Sequence, residues 1–348
     1  MQETRTRKQA APGESSGAGE RLYGVNPERA VAAIKGRVER MRAGEGPADG
    51  RKLALVVEGG AMRGVCSAGG VAALAHLGFT ELFDEVYATS AGAMNASYFL
   101  SGQPASGISI YFDDCTTRLF INPLRFWKLI DIDYLFDRVV TAVKPLDVGR
   151  VLASRTKLFV AVIDKRTGEG RVIDTRATKA PLLSVLKAAT AVPIFYNRTV
   201  EVDGSPYMDA GLAIPFPLEQ ALANGCTDIL VLTTRPPDFI TERPGWLARR
   251  MFDAISARGL DGMSHTFASH HVRVQGARDL ALGRAPTPPG VNVATVCTDP
   301  SETVRRTTVN RERLRAGAVR YARKVLRAFG ADAEDWDLSA LSDARPRS

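Results

Sequence analysis

Histidine and cysteine are scarce in this 348-residue chain, which contains four of each. The cysteines at positions 66, 115, 226 and 297 form no CxxC pair and have no histidine cluster near them, so the pattern predicts neither a zinc site nor a disulfide framework. We therefore expect reduced, mostly buried thiols, no metal and no other cofactor. No window approaches the roughly 18 consecutive apolar residues that a membrane span requires.

The first 20 residues also lack the apolar stretch of a secretory signal, which favours a cytoplasmic location. The formal net charge is +8, and nine Lys or Arg residues against one Glu fall between residues 305 and 327. Neither interleaved stacking aromatics nor a recognisable nucleic-acid module accompanies this charge, so nucleic acid is not an expected partner. Residues 1–20 and 331–348 have no periodic apolar pattern and are predicted to be disordered tails around one folded unit at 21–330.

Short apolar runs alternate with helix-like segments inside this unit. Leu53–Val57 predicts a buried strand before a glycine loop, and a helix is expected at about Val65–His76. Glu85–Thr89 predicts the next strand and Ala91–Leu100 the next helix. Further strands are predicted at 157–163, 228–233 and 291–297, helices at 180–189 and 217–223, hairpin turns at 164–169 and 202–206, and a mainly helical part at 244–330. The alternation implies a largely parallel sheet covered by helices on both faces.

Ser90 stands directly after a predicted strand and before a helix of small residues. This context is typical of a G-x-S-x-G nucleophile elbow, in which a sharp turn lifts the serine hydroxyl out of the sheet. Ala88 occupies the first glycine position of the motif and Gly92 the second. Taken alone, a serine in this place is more often the cap of the following helix.

An earlier loop, Glu58-Gly-Gly-Ala-Met-Arg-Gly64, also joins a strand to a helix. Ester hydrolysis builds negative charge on the carbonyl oxygen, and backbone N–H groups of a glycine loop at a helix N-terminus can stabilise that charge. The loop also resembles the G-x-G-x-x-G of dinucleotide-binding folds, with Glu81 near the expected ribose-binding distance. That match is imperfect, because Ala61 replaces the middle glycine, and it does not account for the turn at Ser90.

Asp209 lies at a predicted strand end, in the sequence Tyr207-Met-Asp-Ala-Gly211. An aspartate there can abstract the serine proton directly, although the tripeptide alone is more often a turn or a helix cap. Between the serine and the aspartate lies a segment of small residues that ends in a proline, Ala188-Ala-Thr-Ala-Val-Pro193, followed by Ile194-Phe195.

In order and spacing, the glycine loop with its arginine, the serine elbow and the Asp-Ala-Gly motif resemble the patatin-like phospholipase family, in particular its bacterial members. The resemblance covers about 53–233 and extends more loosely to about 330. It implies a three-layer α/β/α hydrolase domain with a central, mostly parallel sheet. It also implies a serine acyl hydrolase that cleaves phospholipids, acylglycerols or other carboxylic esters.

The resemblance further implies a role for each motif residue. Ser90 would be the nucleophile, Asp209 the proton acceptor, and the backbone at Gly59, Gly60 and Ala61 the oxyanion hole. The residues that would support these motifs are Arg63, Gly64, Ala88, Gly92, Ala210 and Gly211. Alanine replaces a family glycine at positions 61, 88 and 210, and it penalises any positive φ that the motif requires.

Two other interpretations remain open at this point. His265, His270 and His271 follow Asp209 in the chain order of a Ser-Asp-His triad hydrolase, although the serine elbow of that fold usually comes after more than two strands. The three alanines also permit a catalytically silent lipid-binding or regulatory protein on the same scaffold.

Two longer segments raise further expectations. The aromatic-rich stretch from Phe120 to Phe136 either walls an acyl-chain pocket or packs in the core. Residues 303–329 predict a basic amphipathic helix, whose apolar stripe either meets an anionic membrane or packs on the domain. Oligomeric state is not encoded in any pattern that we recognise.

Overall fold

The computed structural model describes residues 20–122, 124–125, 129–193, 196, 198–256 and 263–344. Its centre is an eight-stranded sheet whose strands are hydrogen-bonded along the path β5-β6-β3-β2-β1-β7-β8, with β4 also paired to β3. Strands β3, β2, β1, β7 and β8 run parallel, whereas β4, β6 and β5 are antiparallel additions. The strands are β1 Leu53–Val57, β2 Glu85–Thr89, β3 Lys157–Asp164, β4 Gly170–Asp174, β5 Val200–Val202, β6 Ser205–Asp209, β7 Asp228–Leu232 and β8 Asn292–Val296.

Helices cover both faces of this sheet. They are α1 Pro27–Arg42, α2 Val65–His76, α3 Ala91–Leu100, α4 Pro104–Asp113, α5 Ile132–Tyr134, α6 Val148–Ala153, α7 Leu182–Thr190, α8 Leu218–Ala223, α9 Trp246–Ser256, α10 Met263–Ala281 and α11 Arg311–Ala328. Helix α5 continues as a π-helix over Leu135–Val143. Short 3₁₀ turns lie at Ala61–Gly64, Ala210–Leu212 and Leu338–Ala340.

The alternating side chains of β1 show the three layers directly. Leu53, Leu55 and Val57 pack with residues of α2, α3, α7 and α11, whereas Ala54 and Val56 pack with residues of α8 and α10. The predicted three-layer α/β/α fold with a mostly parallel sheet is confirmed. The strands and helices predicted between residues 53 and 100 have the bounds observed in the structure.

Strand β3 brings two distant parts of the chain together. It has three neighbours but only two edges. Strand β4 takes one edge, and β2 and β6 share the other. Thr89, the last residue of β2, lies opposite Ala161, and Asp209, the last residue of β6, lies opposite the next residue, Val162. The ends of β2 and β6 therefore meet at this edge.

The basic segment near the C-terminus forms α11, and its apolar stripe packs against α2. Gly69 of α2 has no space for a Cβ because the backbone of Ala318 lies against it. The buried residues of the stripe include Leu314, Ala318, Tyr321 and Val325. Arg320 pairs with Glu302 (2.8 Å). The predicted stripe exists, and of its two expected roles the structure shows packing on the domain.

Residues 331–344, predicted as part of a tail, pack on the domain. The Trp336 side chain is buried, and its ring meets His76 of α2 edge to face at 6.2 Å between centroids. The Asp343 carboxylate accepts hydrogen bonds from the backbone N–H groups of Ala105 (2.9 Å) and Ser106 (3.2 Å) at the start of α4. One aromatic anchor and one carboxylate at a helix N-terminus thus order a segment of mainly polar composition. Residues 1–19 of the predicted N-terminal tail and residues 345–348 lie outside the described residues.

Two further observations concern the cysteines and the length of the apolar helices. All four cysteines are unpaired and buried, as predicted. Among the described residues, no helix is both long and apolar enough to cross a membrane.

Candidate active site

Ser90 occupies a strained turn between β2 and α3. Its φ of 57° and ψ of −137° lie in a region that residues other than glycine rarely adopt. The side chain makes no capping hydrogen bond to α3, so the helix-cap interpretation does not explain this serine. A Cβ on Gly92 would lie 2.4 Å from the carbonyl oxygen of Val57, which is why the second glycine position of the motif, two residues after the serine, needs a glycine.

The glycine loop after β1 packs directly against this serine. A Cβ on Gly59 would lie 2.7 Å from the Ser90 Cβ and 2.4 Å from the carbonyl oxygen of Thr89. Gly60 has a φ of 146°, which glycine adopts without strain. The loop then enters the 3₁₀ turn at Ala61 and helix α2, so its N–H groups lie at a helix N-terminus beside the serine. Binding of a dinucleotide would not require Gly59 to lie this close to Ser90, so the contact favours the hydrolase interpretation of the loop.

Of the three alanines that replace family glycines, Ala61 alone has a positive φ, at 50°. Ala88 lies within β2, paired with Val57 on one side and Val160 on the other, and its backbone is that of an ordinary strand. Ala210 is buried and also lacks a positive φ. The expected backbone penalty therefore applies at position 61 and not at positions 88 or 210.

Asp209 reaches Ser90 because β2 and β6 share one edge of β3. Its Oδ1 accepts a hydrogen bond from the backbone N–H of Gly211 (2.7 Å), and its carboxyl also interacts with the Ser90 hydroxyl. Burial raises the pKa of Asp209, while the hydrogen bonds from Ser90 and Gly211 and the charge of Arg306 oppose that shift. A buried carboxyl with a raised pKa is a stronger base than an exposed one.

Arg63 is linked to the glycine loop through hydrogen bonds of Thr234. Its Nε donates a hydrogen bond to Thr234 Oγ1 (3.2 Å), and that hydroxyl donates to the carbonyl oxygen of Gly59 (2.8 Å). Gly64 is needed because a Cβ there would lie 2.7 Å from the Tyr111 hydroxyl. That hydroxyl donates to Oδ1 of Asn95, whose Nδ2 donates to the carbonyl oxygen of Gly64 (2.9 Å).

Thr234, Tyr111 and Asn95 belong to none of the motifs that the sequence shows. Thr234 follows β7, Tyr111 lies in α4 and Asn95 lies in α3, so only the folded chain brings them to the glycine loop. Asn95 offers the one signal that a sequence could show, because a polar side chain inside an otherwise apolar, small-residue helix needs a buried partner.

Two cavities meet at Ser90. One is a narrow, almost wholly apolar cavity of about 70 Å³, and the other is an open cleft of about 350 Å³ that also contains Asp209. Ala61, Ser90, Ile121, Ile130 and Val192 line both. From the aromatic-rich stretch, the side chains that wall the narrow cavity are Phe120, Ile121, Ile130, Ile132 and Leu135. Phe126 and Trp127 lie outside the described residues.

The structure does not bring a histidine into contact with the serine and the aspartate. His270 lines the cleft, but its Nδ1 lies 2.8 Å from the carbonyl oxygen of Phe267. In the part of the chain that the structure describes, no hydrogen bond links His265, His270 or His271 to Ser90 or Asp209. Burial lowers the pKa of His270. The arrangement resembles a Ser-Asp pair more closely than a triad.

Fold and site together define an α/β protein whose strained serine, at a strand-to-helix turn, faces a glycine loop and a buried aspartate. Residues 55–222 match the family model of the patatin-like phospholipases. A patatin-like phospholipase domain therefore lies at residues 55–222.

Similarity to individual proteins is more distant. The chain is 31% identical over 204 residues to the uncharacterized protein YjjU of Escherichia coli K12, a match that covers 57% of this chain and 56% of that relative. The chain thus spans little more than half the length of this curated relative. Among solved structures, VipD from Legionella pneumophila superposes with a TM-score of 0.45 at 13% identity, covering 80% of this chain and 67% of VipD.

Proposed function

We propose that this protein is a serine acyl hydrolase that cleaves lipid or other carboxylic esters with Ser90 as nucleophile and Asp209 as its base. The observation that carries the proposal is the shared edge of β3, where β2 delivers the serine and β6 delivers the aspartate to the same place. The membership of residues 55–222 in the patatin-like phospholipase family supports a hydrolase.

The proposed reaction has two halves. Ser90 Oγ attacks the ester carbonyl while its proton passes to Asp209, and backbone N–H groups at Gly59, Gly60 and Ala61 stabilise the oxyanion that forms. The alcohol then leaves with the proton from Asp209, and an acyl-serine remains. Water, deprotonated by Asp209, hydrolyses this acyl-enzyme and regenerates the serine. The acyl chain would occupy the apolar cavity beside Ser90.

The decisive experiment combines labelling with turnover. Wild type should react with an active-site serine phosphonate and hydrolyse a short-chain ester. Ser90→Ala should do neither, and Asp209→Asn should lose most turnover while staying folded. The double variant should be little worse than either single one, because a nucleophile and its base act as one unit. Matched controls are Ser184→Ala in α7 and Asp335→Asn, an exposed carboxylate. Unchanged turnover in Ser90→Ala would refute the proposal.

The strained Ala61 favours one second candidate, a lipid-binding protein with little or no catalysis on the same scaffold. A misplaced N–H in the oxyanion loop lowers turnover without removing the cavities that bind an acyl chain. The phosphonate distinguishes the two candidates, since a silent protein would bind lipid and leave the phosphonate unreacted.

We also propose that the enzyme meets its lipid at the rim of the cleft. The side chains of Leu124, Ile240 and Trp246 are exposed by 72% or more. Leu124 lies in sequence between the cleft residues Ile121 and Leu129, and Ile240 precedes the cleft residue Thr241. Exposed Arg249 and Arg250 follow Trp246 in α9 and would favour an anionic surface.

A further inference from the structure

Several arginines gather at the open cleft beside Ser90. Arg235 follows β7, Arg306 precedes α11, Arg63 lies beneath the glycine loop and Arg278 lies in α10. One carboxylate, Glu58, is close to this group, 3.6 Å from Arg235 Nε to Glu58 Oε1. Burial lowers the pKa of Arg235 to about 10, Glu58 opposes the shift, and the other three arginines add to it. The cluster thus has an excess of positive charge.

Arg235 has two buried guanidinium nitrogens without a hydrogen-bond partner, whereas Arg63 and Arg278 have one each. It is more than nine-tenths buried, yet its Nε and Nη1 atoms have no hydrogen-bond partner. The 3.6 Å separation from Glu58 is too long for a good hydrogen bond, and Glu58 Oε2 already accepts from the N–H of Thr234 (2.7 Å). Buried donors in native proteins are almost always satisfied, so the unpartnered N–H groups of Arg235 beside a cleft indicate a missing acceptor.

The plane of this guanidinium is held in place. The ring of Phe239 lies 4.3 Å from Arg235 Cζ, and the same ring lies 5.5 Å from Arg278 Cζ. Arg278 is tied in turn to the carbonyl oxygen of Pro236. A guanidinium stacked on an aromatic ring keeps its in-plane N–H groups available, which is the geometry that binds an anion through two parallel hydrogen bonds.

Arg306 supplies a second cation at the same cleft. Its side chain is exposed, and the described residues include no ion pair or side-chain hydrogen bond for it. Its backbone carbonyl accepts the N–H of Met62 (3.2 Å), which places this residue beside the 3₁₀ turn of the glycine loop. One buried, oriented arginine and one exposed arginine thus face a cleft that begins at Ser90.

We propose that Arg235 and Arg306 bind a phosphate group on the leaving part of the substrate, so that the enzyme prefers phosphate-bearing acyl esters to neutral acylglycerols. This inference rests on the proposed function, because it needs the ester carbonyl at Ser90. The apolar cavity would take the acyl chain, and the cleft, at about 350 Å³, has the size of a small-ligand pocket for the polar remainder. Arg63 also lines the cleft and its Nη2 has no hydrogen-bond partner, but Thr234 binds its Nε and holds it against the glycine loop, so we do not assign it to the phosphate.

The first test compares two soluble substrates with equal acyl chains, monomeric dihexanoyl phosphatidic acid and dihexanoylglycerol. The ratio of their kcat/KM values should favour the phosphate ester in wild type. It should fall about tenfold or more in Arg306→Gln, since a charge-assisted hydrogen bond is lost. Arg306 has an exposed side chain, so this variant will fold. Arg29→Gln, an exposed arginine in α1, should leave the ratio unchanged.

Arg235→Gln should lower the ratio further, and Arg235→Lys should recover part of the loss because it keeps the charge but not the paired donors. Arg235 neighbours buried Glu58, so each variant needs a thermal unfolding curve beside the kinetics. A ratio that stays at the wild-type value in a folded Arg235→Gln and in Arg306→Gln overturns the inference and leaves the hydrolase proposal intact.

The second test does not depend on turnover. Calorimetry with Ser90→Ala protein should detect glycerol 3-phosphate, and adding Arg235→Gln or Arg306→Gln should weaken that binding by about tenfold. Inorganic phosphate should bind more weakly than glycerol 3-phosphate if the site serves a lipid headgroup. Equal or tighter binding of inorganic phosphate would overturn the headgroup assignment. If no ester is hydrolysed but glycerol 3-phosphate binds through these arginines, the phosphate site stands and the proposed catalysis fails.

Discussion

Two residues at the site adopt backbone conformations that L-amino acids rarely use, Ser90 with a φ of 57° and Ala61 with a φ of 50°. Such conformations typically cost about 1–3 kcal/mol each and persist only where the surroundings enforce them. At Ser90 the turn between β2 and α3 enforces it, and the hydroxyl is exposed to both cavities as a result. At Ala61 a glycine would adopt the same conformation without strain.

We therefore predict that Ala61→Gly raises kcat more than it changes KM, because the N–H groups of a relaxed loop can settle around the oxyanion. The free energy of unfolding should increase by up to about 1 kcal/mol, the lower end of the αL penalty. Ala88→Gly is the matched control, since Ala88 has ordinary strand geometry and should lose about 0.5–1 kcal/mol. Ester turnover and thermal unfolding measure both effects. Equal behaviour of the two variants would show that the loop tolerates alanine.

The buried carboxyl of Asp209 should affect the pH dependence of kcat/KM. Burial raises its pKa above the ordinary value of 3.8, so the folded protein holds this proton more tightly than the unfolded chain does. The acidic limb of the kcat/KM profile should therefore have its midpoint above 3.8, because the base must be ionised to act. Arg306→Gln should move that midpoint further up, since the charge of Arg306 lowers this pKa.

The same shift determines the sign of the stability effect. Between pH 3.8 and the folded-state pKa the unfolded chain loses this proton while the folded protein keeps it, so the free energy of unfolding falls as pH rises through this range and stays lower above it. Asp209→Asn should therefore unfold at a higher temperature than wild type near neutral pH, and the difference should shrink as pH falls toward 3.8. Thermal unfolding across that pH range tests this, and a difference that grows on acidification would contradict it.

At the scale of elements, close packing of α2 and α11 explains why glycines occur inside these two helices. Helices α2 and α11 approach so closely that a Cβ on Gly70 would lie 2.9 Å from the ring of Tyr321. Gly317 in α11 faces the loop before the helix, where a Cβ would lie 2.7 Å from Val304 Cγ2. The glycine that makes α11 a poor independent helix is therefore a requirement of its packing, consistent with a helix that belongs to the core.

We predict that Gly317→Ala lowers the free energy of unfolding by about 1–3 kcal/mol, the usual result of overpacking a buried contact. Gly36→Ala in α1 is the matched control, because a Cβ there meets nothing within 4 Å. That variant should gain up to about 1 kcal/mol from helix propensity. Urea unfolding of both proteins gives the comparison, and a stabilised Gly317→Ala would mean that the loop at Val304 moves aside.

At the scale of the whole molecule, carboxylates of the protein itself engage part of the positive charge of α11, at Arg315, Arg320, Lys324 and Arg327. Lys324 pairs with Asp299 (2.6 Å) and Glu20 (3.2 Å), and Arg327 with Glu334 (3.2 Å). Arg306 lines the cleft at Ser90, and the described residues include no ion pair for it. The exposed side chains of Leu124 and Ile240 belong to segments that also contribute residues to this cleft, which supports the proposed lipid contact there.

We predict that wild type binds anionic vesicles through the rim of the cleft. The double variant Ile240→Ser, Trp246→Ser should bind several-fold less, because two largely exposed apolar side chains are lost. Leu152→Ser in α6 is the matched control, an exposed apolar residue that lines neither cavity at Ser90. Co-sedimentation at low and high salt measures binding. Equal binding by the double variant and wild type would place the contact elsewhere.

The sequence by itself determined the order of strands and helices around the serine, because those elements depend on local patterns of apolar and small residues. It also singled out Ser90, Asp209 and the glycine loop, since each motif is a short local signal. Which replaced glycines matter was decided by the tertiary structure alone, because the sign of φ at Ala61 and Ala88 depends on the loop and strand around them. Residues 331–344 are ordered because Trp336 packs against His76, a contact between residues that are far apart in the chain.

The partners of these motifs were also beyond the sequence. Thr234, Asn95 and Arg235 carry no recognisable spacing relative to Ser90, and they reach the site from three different elements. Two strands that are far apart in the chain share one edge of β3, and this long-range pairing alone brings the serine to the aspartate. Local patterns specify elements, whereas contacts between distant residues depend on how sheet and helices bury one another.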